Sequence, residues 1–268
     1  MTDLRGRVAL VTGSVGGGIG RSVALALGRC GATVVLNYGT GRTGPEMETR
    51  AAEVAQAIEA MGAPVRIVPA DTTNSEHVVD LFDRIRRECA GVDILVNNAG
   101  TTWKEQDFAD AEPERWRRAL AAEVEGPAFL IHQALPHMRN QRWGRIVNIG
   151  IDFFVLDLLL STVHDHVLNR YPYPFAVAKA ARHHLTEVLA YAELRHGITV
   201  NSIQPGIIEE TNLEDAIWQS RGEPTADRFY AGPVDVAGAV VYLCSVGARF
   251  VTNSVFRIPG NIYTRLHR

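Results

Sequence analysis

The sequence predicts an α/β protein built on a single doubly wound parallel sheet, and three observations predict it. Short apolar runs (7–12, 33–38, 65–69 and 93–96) alternate with longer amphipathic stretches, the rhythm of repeated strand–helix units. The runs are almost continuously apolar, as strands covered on both faces are. The first run stops at a glycine-rich loop, Gly13-Ser14-Val15-Gly16-Gly17-Gly18-Ile19-Gly20, and a helical pattern through Val23, Ala24 and Leu27 follows at once.

Size and composition fit that class. The chain has 268 residues, 46 % hydrophobic and 21 % charged, within the range of one α/β domain spanning 1–268 with no linker or repeat. A formal net charge of −3 gives no reason to expect nucleic acid or an anionic membrane as a partner. The most apolar short run, Phe153 to Leu160, contains Asp157 and is far too short to span a bilayer. Residues 1–7 carry no apolar signal region, and Cys30, Cys89 and Cys244 show no metal-like pairing. Reduced thiols in a cytoplasmic protein are the expectation.

Taken in order, each element adds chemistry. Strand, glycine loop and helix form the arrangement in which backbone N–H groups and a helix N-terminus meet a phosphate, with glycines permitting close approach. The second strand ends Asn37-Tyr38-Gly39-Thr40-Gly41-Arg42, without the acidic residue that would receive the ribose hydroxyls of NAD. With Tyr38 and Arg42 at that end, NADP is expected and NAD stays open. A helix over 46–61, a strand at Val65, Asp71-Thr72, a helix over 75–88 and Asn97-Asn98-Ala99-Gly100 follow. Long helices are expected over 113–139 and 174–196, with a strand at Gly144–Ile149 between them.

Thr12-Gly13…Gly18-Ile19-Gly20, Asp71-Thr72, Asn97-Asn98-Ala99-Gly100, the run Val200 to Gly206 and Pro233-Val234-Asp235-Val236-Ala237 together resemble the short-chain dehydrogenase/reductase family, over about residues 5 to 262. The resemblance implies a Rossmann-like fold, a nicotinamide cofactor and a homo-oligomer, dimer or tetramer. It places the cofactor against Gly13, Ser14, Gly18, Ile19, Gly20, Tyr38, Arg42, Asp71, Thr72, Asn98, Ala99, Gly100, Lys179, Pro205, Gly206 and Ile208. It also implies a proton relay of serine, tyrosine, lysine and asparagine.

Here the chain departs from the family. Lys179 matches the lysine, but Phe175 stands four residues earlier where the tyrosine belongs, and a benzyl side chain can neither donate nor accept a proton. Gly150 or Ile151 takes the serine position, and Glu123 that of the asparagine. The glycine loop is one residue longer than the family spacing, and Thr211, behind Glu209 and Glu210, comes one place late.

Between the serine and tyrosine positions the chain also carries an insertion, at about 151–173, where open α/β sheets place their ligands. Tyr171 and Tyr173, each before a proline, are expected to be extended, so the Tyr173 hydroxyl reaches toward Lys179 as a substitute donor. Glu123 either pairs with Lys179 or marks a shifted alignment. Ser161, Thr162, His164 and His166 are further candidates; His164, Asp165 and His166 lack a third firm ligand, so no metal site is expected. His183 and His184 are expected at a surface or interface. Three readings follow. The first is an NAD(P)-dependent oxidoreductase with an atypical site, acting on a carbonyl or enoyl group of a small, hydrophobic substrate. The second is a non-redox lyase, isomerase or dehydratase on the same scaffold, and the third a cofactor-binding protein without turnover.

Overall fold

The computed structural model describes residues 2–39, 45–155, 171–208 and 231–259. One seven-stranded sheet organises them, in the order β3-β2-β1-β4-β5-β6-β7, every neighbouring pair parallel. The strands are β1 (Val8–Val11), β2 (Thr33–Leu36), β3 (Val65–Ile67), β4 (Ile94–Asn97), β5 (Gly144–Ile149), β6 (Ile198–Pro205) and β7 (Val255–Ile258). The central strands are buried along their whole length, which is why the sequence shows them as unbroken apolar runs.

Helices cover both faces. On one side α1 (Ile19–Arg29), α2 (Pro45–Glu59) and a helix near the C-terminus pack through Val23, Leu27, Val54, Ile58 and Val240. On the other, α3 (Ser75–Cys89), α5 (Gly126–Gln141) and α6 (Tyr173–Leu194) contribute Leu81, Phe82, Leu130, Met138 and Ala190, and α4 (Pro113–Leu120) lies against α6. The C-terminal helix is α7 (Pro233–Cys244), whose first turn is closed by Asp235 accepting the Gly232 N–H at 2.8 Å. Strand order reverses direction between β1 and β4, and that switch point opens the crevice at the carboxyl ends of the strands.

Two local departures from the expected elements matter for the site. Between α4 and α5 the helix runs through a π-helical segment, Ala121–Glu125, in place of one uninterrupted α-helix. Tyr173 is the first residue of α6 rather than an extended residue before it. The preference against helix before proline is opposed by ring contacts, for Tyr173 packs edge-on against Phe108 at 5.2 Å and with its ring tilted against Tyr171 at 5.2 Å. Tyr171 is extended as expected, its backbone paired with Gln106.

Candidate active site

A cleft of about 810 Å³ lies at the carboxyl ends of β1, β2 and β4. Its floor is the glycine loop. Gly13 sits at φ +63° and Gly18, the residue capping α1, at φ +89°, backbone conformations that disfavour a side chain. Gly20 packs so closely on the Gly13 carbonyl and the Asn98 amide that a Cβ could not be placed there. The Asn98 Nδ2 donates to the Thr12 carbonyl at 2.9 Å and the Gly13 carbonyl at 3.2 Å, clamping the loop to the end of β4. The lengthening of the loop is absorbed inward: Val15 is buried in the core while Gly16 and Gly17 stay on the cleft wall.

These residues fit a dinucleotide. Helix α1 starts without a side-chain cap and without an acidic residue in its first turn, so its first N–H groups are free to meet an anion. Ile19, Tyr38, Asp71, Thr72, Ala99 and Gly100 line the same cleft. Ser14, expected on the cofactor, does something else. It is fully buried, and its hydroxyl donates to the Asn37 carbonyl at 3.3 Å and accepts the Asn37 N–H at 3.0 Å, so it joins the loop to β2. The Asn37 side chain is likewise committed, donating to the carbonyls of Val68 and Ala70. Arg42 lies outside the described residues. A different cation, Arg50 of α2, lines the cleft beside Tyr38 and Met47, paired with Glu46 at 2.7 Å.

Farther along, Pro205, Gly206 and Ile208 are buried at the carboxyl end of β6. The Gly206 N–H donates to the Ile258 carbonyl at 2.9 Å, and Ile208 forms an isolated bridge with Ala231, just before the C-terminal helix. Glu209, Glu210 and Thr211, and Ser161, Thr162 and His164 to His166 of the insertion, lie outside the described residues.

At the end of the cleft lined by Trp103 and Phe175, the positions where the resemblance implies serine and tyrosine carry no side-chain hydroxyl. Ile151, Phe175 and Ala176 form a small buried cluster with Trp103, Phe153 and Tyr171 packed on it, the Trp103 and Phe175 rings edge-on at 5.6 Å. Tyr173 sets its ring against Phe108 and Tyr171. Residues two apart on an α-helix point about 200° apart, so Tyr173 faces away from the row shared by Phe175 and Lys179.

Beneath Phe175 lies a charged cluster. Lys179 Nζ is 3.1 Å from Glu123 Oε2 and donates to the Ile149 carbonyl at 3.2 Å. Glu123 therefore pairs with Lys179, from the π-helical segment. Its Oε1 accepts the Thr101 N–H at 2.8 Å, and a Cβ on Gly100 would strike its carboxylate. The third member is Arg182, fully buried, with Nη2 2.9 Å from Glu123 Oε2. Its guanidinium donates to the carbonyls of Glu123, Asn97, Ile149, Ala99 and Ala122. Two of these belong to the π-helical segment, whose altered register turns backbone acceptors toward the arginine. A buried polar ladder, Asn97 to Asn148 at 2.7 Å and Asn148 to Thr186 at 2.9 Å, leads from β4 across β5 to α6. Burial pushes the Lys179 ammonium down to about 8, with Glu123 pulling the other way and Arg182 adding to the fall.

The comparisons with known proteins agree with this fold. A family model described as enoyl-(acyl carrier protein) reductase matches residues 15–260. The chain belongs to the short-chain dehydrogenase/reductase family. A member of that family from Aquifex aeolicus, 3-oxoacyl-(acyl-carrier-protein) reductase FabG, is 31 % identical over 265 residues, 97 % of this chain and 98 % of that one. A putative gluconate dehydrogenase from Agrobacterium tumefaciens superimposes with a TM-score of 0.79 at 27 % identity, covering 97 % of both chains. A blue fluorescent protein from a metagenomic library, solved in complex with NADPH, gives 0.77 at 26 % identity over 97 % of this chain and 99 % of that one. As a short-chain dehydrogenase/reductase, the chain carries a glycine loop one residue longer than the family spacing, with Phe175 and Glu123 where the resemblance implies tyrosine and asparagine. Sequence reasoning missed Arg182, although its place three residues after Lys179 put it on the same helix face. It also missed Arg50 and Trp103, which reach the cleft only through the fold.

Proposed function

We propose that this short-chain dehydrogenase/reductase is an NADPH-linked oxidoreductase that reduces a carbonyl or enoyl group, or runs the reverse reaction, with Lys179 and Glu123 at the reacting end. The observation that carries this reading is the glycine-lined cleft that begins at the uncapped start of α1 and ends at Phe175, over Lys179. When bound, the nicotinamide supplies or accepts a hydride. The chain supplies the rest: glycine-loop N–H groups for the phosphates, Asp71 and Thr72 beside the adenosine half, and a dry aromatic wall at the reacting end. Arg50 favours a 2′-phosphate, and so NADPH over NADH, because it lines the cleft beside Tyr38, where β2 runs into Asn37-Tyr38 with no acidic residue for the ribose hydroxyls. Its ion pair with Glu46 is exposed, so a phosphate can displace that partner. NAD remains a usable cofactor.

The Ile151, Trp103, Phe153 and Phe175 surface suits a small hydrophobic substrate over a sugar or a polyanion. The reading carries a homo-oligomer, dimer or tetramer, in the cytoplasm. Val188 and Tyr191 project from α6 at 53 % and 73 % exposure, an apolar strip that a second subunit would cover. No helix among the described residues is long and apolar enough to cross a membrane.

A second reading rests on that same hydrocarbon lining. With Ile151 and Phe175 at the positions where the resemblance implies serine and tyrosine, a non-redox reaction on the scaffold is chemically available. The two are separated by following NADPH consumption with a panel of ketones, aldehydes and enoyl thioesters. Steady turnover of any member supports the oxidoreductase. Tight NADPH binding without turnover of any member favours the second reading or a cofactor-binding protein without turnover.

A further inference from the structure

Glu123, Lys179 and Arg182 are three charges in one buried place, and their contacts do not balance. Arg182 has five N–H donors, and each has a backbone carbonyl to bind. None is aimed with hydrogen-bond geometry at Glu123 Oε2, although Nη2 lies 2.9 Å away. With Oε1 held by Thr101, the fully buried Oε2 is the carboxylate oxygen left to face the two cations, 3.1 Å from Lys179 Nζ. The ammonium itself has three N–H groups. One meets Ile149, one faces Glu123, and the third has no partner among the described residues. Two cations and one carboxylate leave one unmatched positive charge in a nearly buried site. A guanidinium cannot shed its proton at ordinary pH, whereas an ammonium can.

We propose that Lys179 itself, in place of a hydroxyl group, exchanges the proton with substrate, and that Arg182 is the positioning residue that fixes the carboxylate beside it. The proposal rests on the oxidoreductase reading. Phe175, Gly100 and Ala122, all in the cleft wall, are neighbours of this cluster, so the reacting end of the cleft lies over it. Phe175 sets its ring 5.6 Å from Nζ, a contact that favours the cation without competing for its proton. As the substrate oxygen becomes an alkoxide, it takes a proton from Nζ. The N–H bond breaks, an O–H bond forms, and the lysine is left as a neutral amine that regains its proton from water at the cleft mouth. In the oxidative direction the neutral amine accepts the alcohol proton.

The charged groups that face Lys179 are Glu123 from the π-helical segment and Arg182 from its own helix. From β5 it meets the Ile149 carbonyl, and Asp152 just beyond turns its carboxylate to the N–H groups of Phe154 and Val155. Arg182 therefore lowers the proton affinity of Lys179 and Glu123 raises it.

The sequence makes a direct test possible, because it holds two lysines, Lys104 and Lys179. In the full protein labelled with 13C-lysine, NMR yields two Cε signals, assigned with Lys104→Arg. The expected result is a Lys179 midpoint near 8, moved upward by at least half a unit in Arg182→Gln, held in Arg182→Lys and moved downward in Glu123→Gln. The alkaline limb of NADPH-dependent reduction should follow the same midpoints. If Arg182→Gln does not fold, wild type and Glu123→Gln carry the test. A wild-type Lys179 signal that titrates above 10, or a rate limb that ignores a moved midpoint, overturns the proposal. NADPH fluorescence titration on the same samples keeps the failures apart. Binding with an unshifted lysine sinks the proton assignment alone, whereas absence of NADPH and NADH binding sinks the cofactor reading and the assignment with it.

Discussion

Replacing Lys179 by methionine should make the folded protein more stable at pH 7. Methionine fills a similar volume without charge, and it leaves Glu123 opposite Arg182 as a balanced pair. The magnitude comes from the lysine's own titration. Burial, with Arg182 adding to it and Glu123 opposing, lowers the ammonium from 10.5 to about 8. At ~1.4 kcal/mol per unit, holding it charged in the fold costs about 3 kcal/mol. Since the folded value lies below the unfolded one, the unfolded chain binds more protons between about 8 and 10.5. Wild-type stability from this group therefore rises with pH through that window, and below it the penalty is fully present. Lys179→Met lacks both the penalty and the rise. Urea unfolding at pH 7 and pH 10 measures this. The expected gain of roughly 2–3 kcal/mol at pH 7, after some loss to the Ile149 contact, should shrink toward zero at pH 10. A variant that is destabilised at pH 7 by a margin independent of pH would refute the reasoning, for then the ammonium would be a net stabiliser of the fold.

Other outcomes follow from the geometry. Ser14→Ala should lose about 1 kcal/mol of stability in denaturant titration, through the broken Asn37 bridge, while NADPH affinity changes less than about twofold. Arg50→Ala should weaken NADPH binding roughly tenfold and leave NADH affinity nearly unchanged, read by fluorescence titration of both. Tyr173→Phe should leave the rate of any reduction the protein performs within about twofold of wild type, since that ring belongs to the Phe108 and Tyr171 contact and not to the Lys179 row.

Most of the fold was legible because buried parallel strands and glycine punctuation are local signals. The runs ending at Thr12, Tyr38 and Val96 became β1, β2 and β4 within a residue or two, and the loop from Gly13 became the cleft floor. One feature of the altered site was legible too: Glu123 pairs with Lys179, as one of the two alternatives held. Side-chain direction was less accessible. Ser14 reads as a loop hydroxyl until burial shows it turned to β2, and Tyr173 reads as extended until α6 begins one residue earlier than expected. Arg182 was hidden for a different reason. Its partners are backbone carbonyls gathered from β4, β5 and the π-helical segment, and backbone carbonyls leave no mark in a sequence.

The central claim is that the glycine-lined cleft takes a nicotinamide dinucleotide, and equilibrium fluorescence titration of the full protein with NADPH and NADH tests it most directly. The expected result is saturable binding of NADPH, tighter than that of NADH, and its loss when Gly20→Val drives a side chain into the Gly13 carbonyl. Saturation by neither dinucleotide, with the wild-type chain folded, would contradict the account.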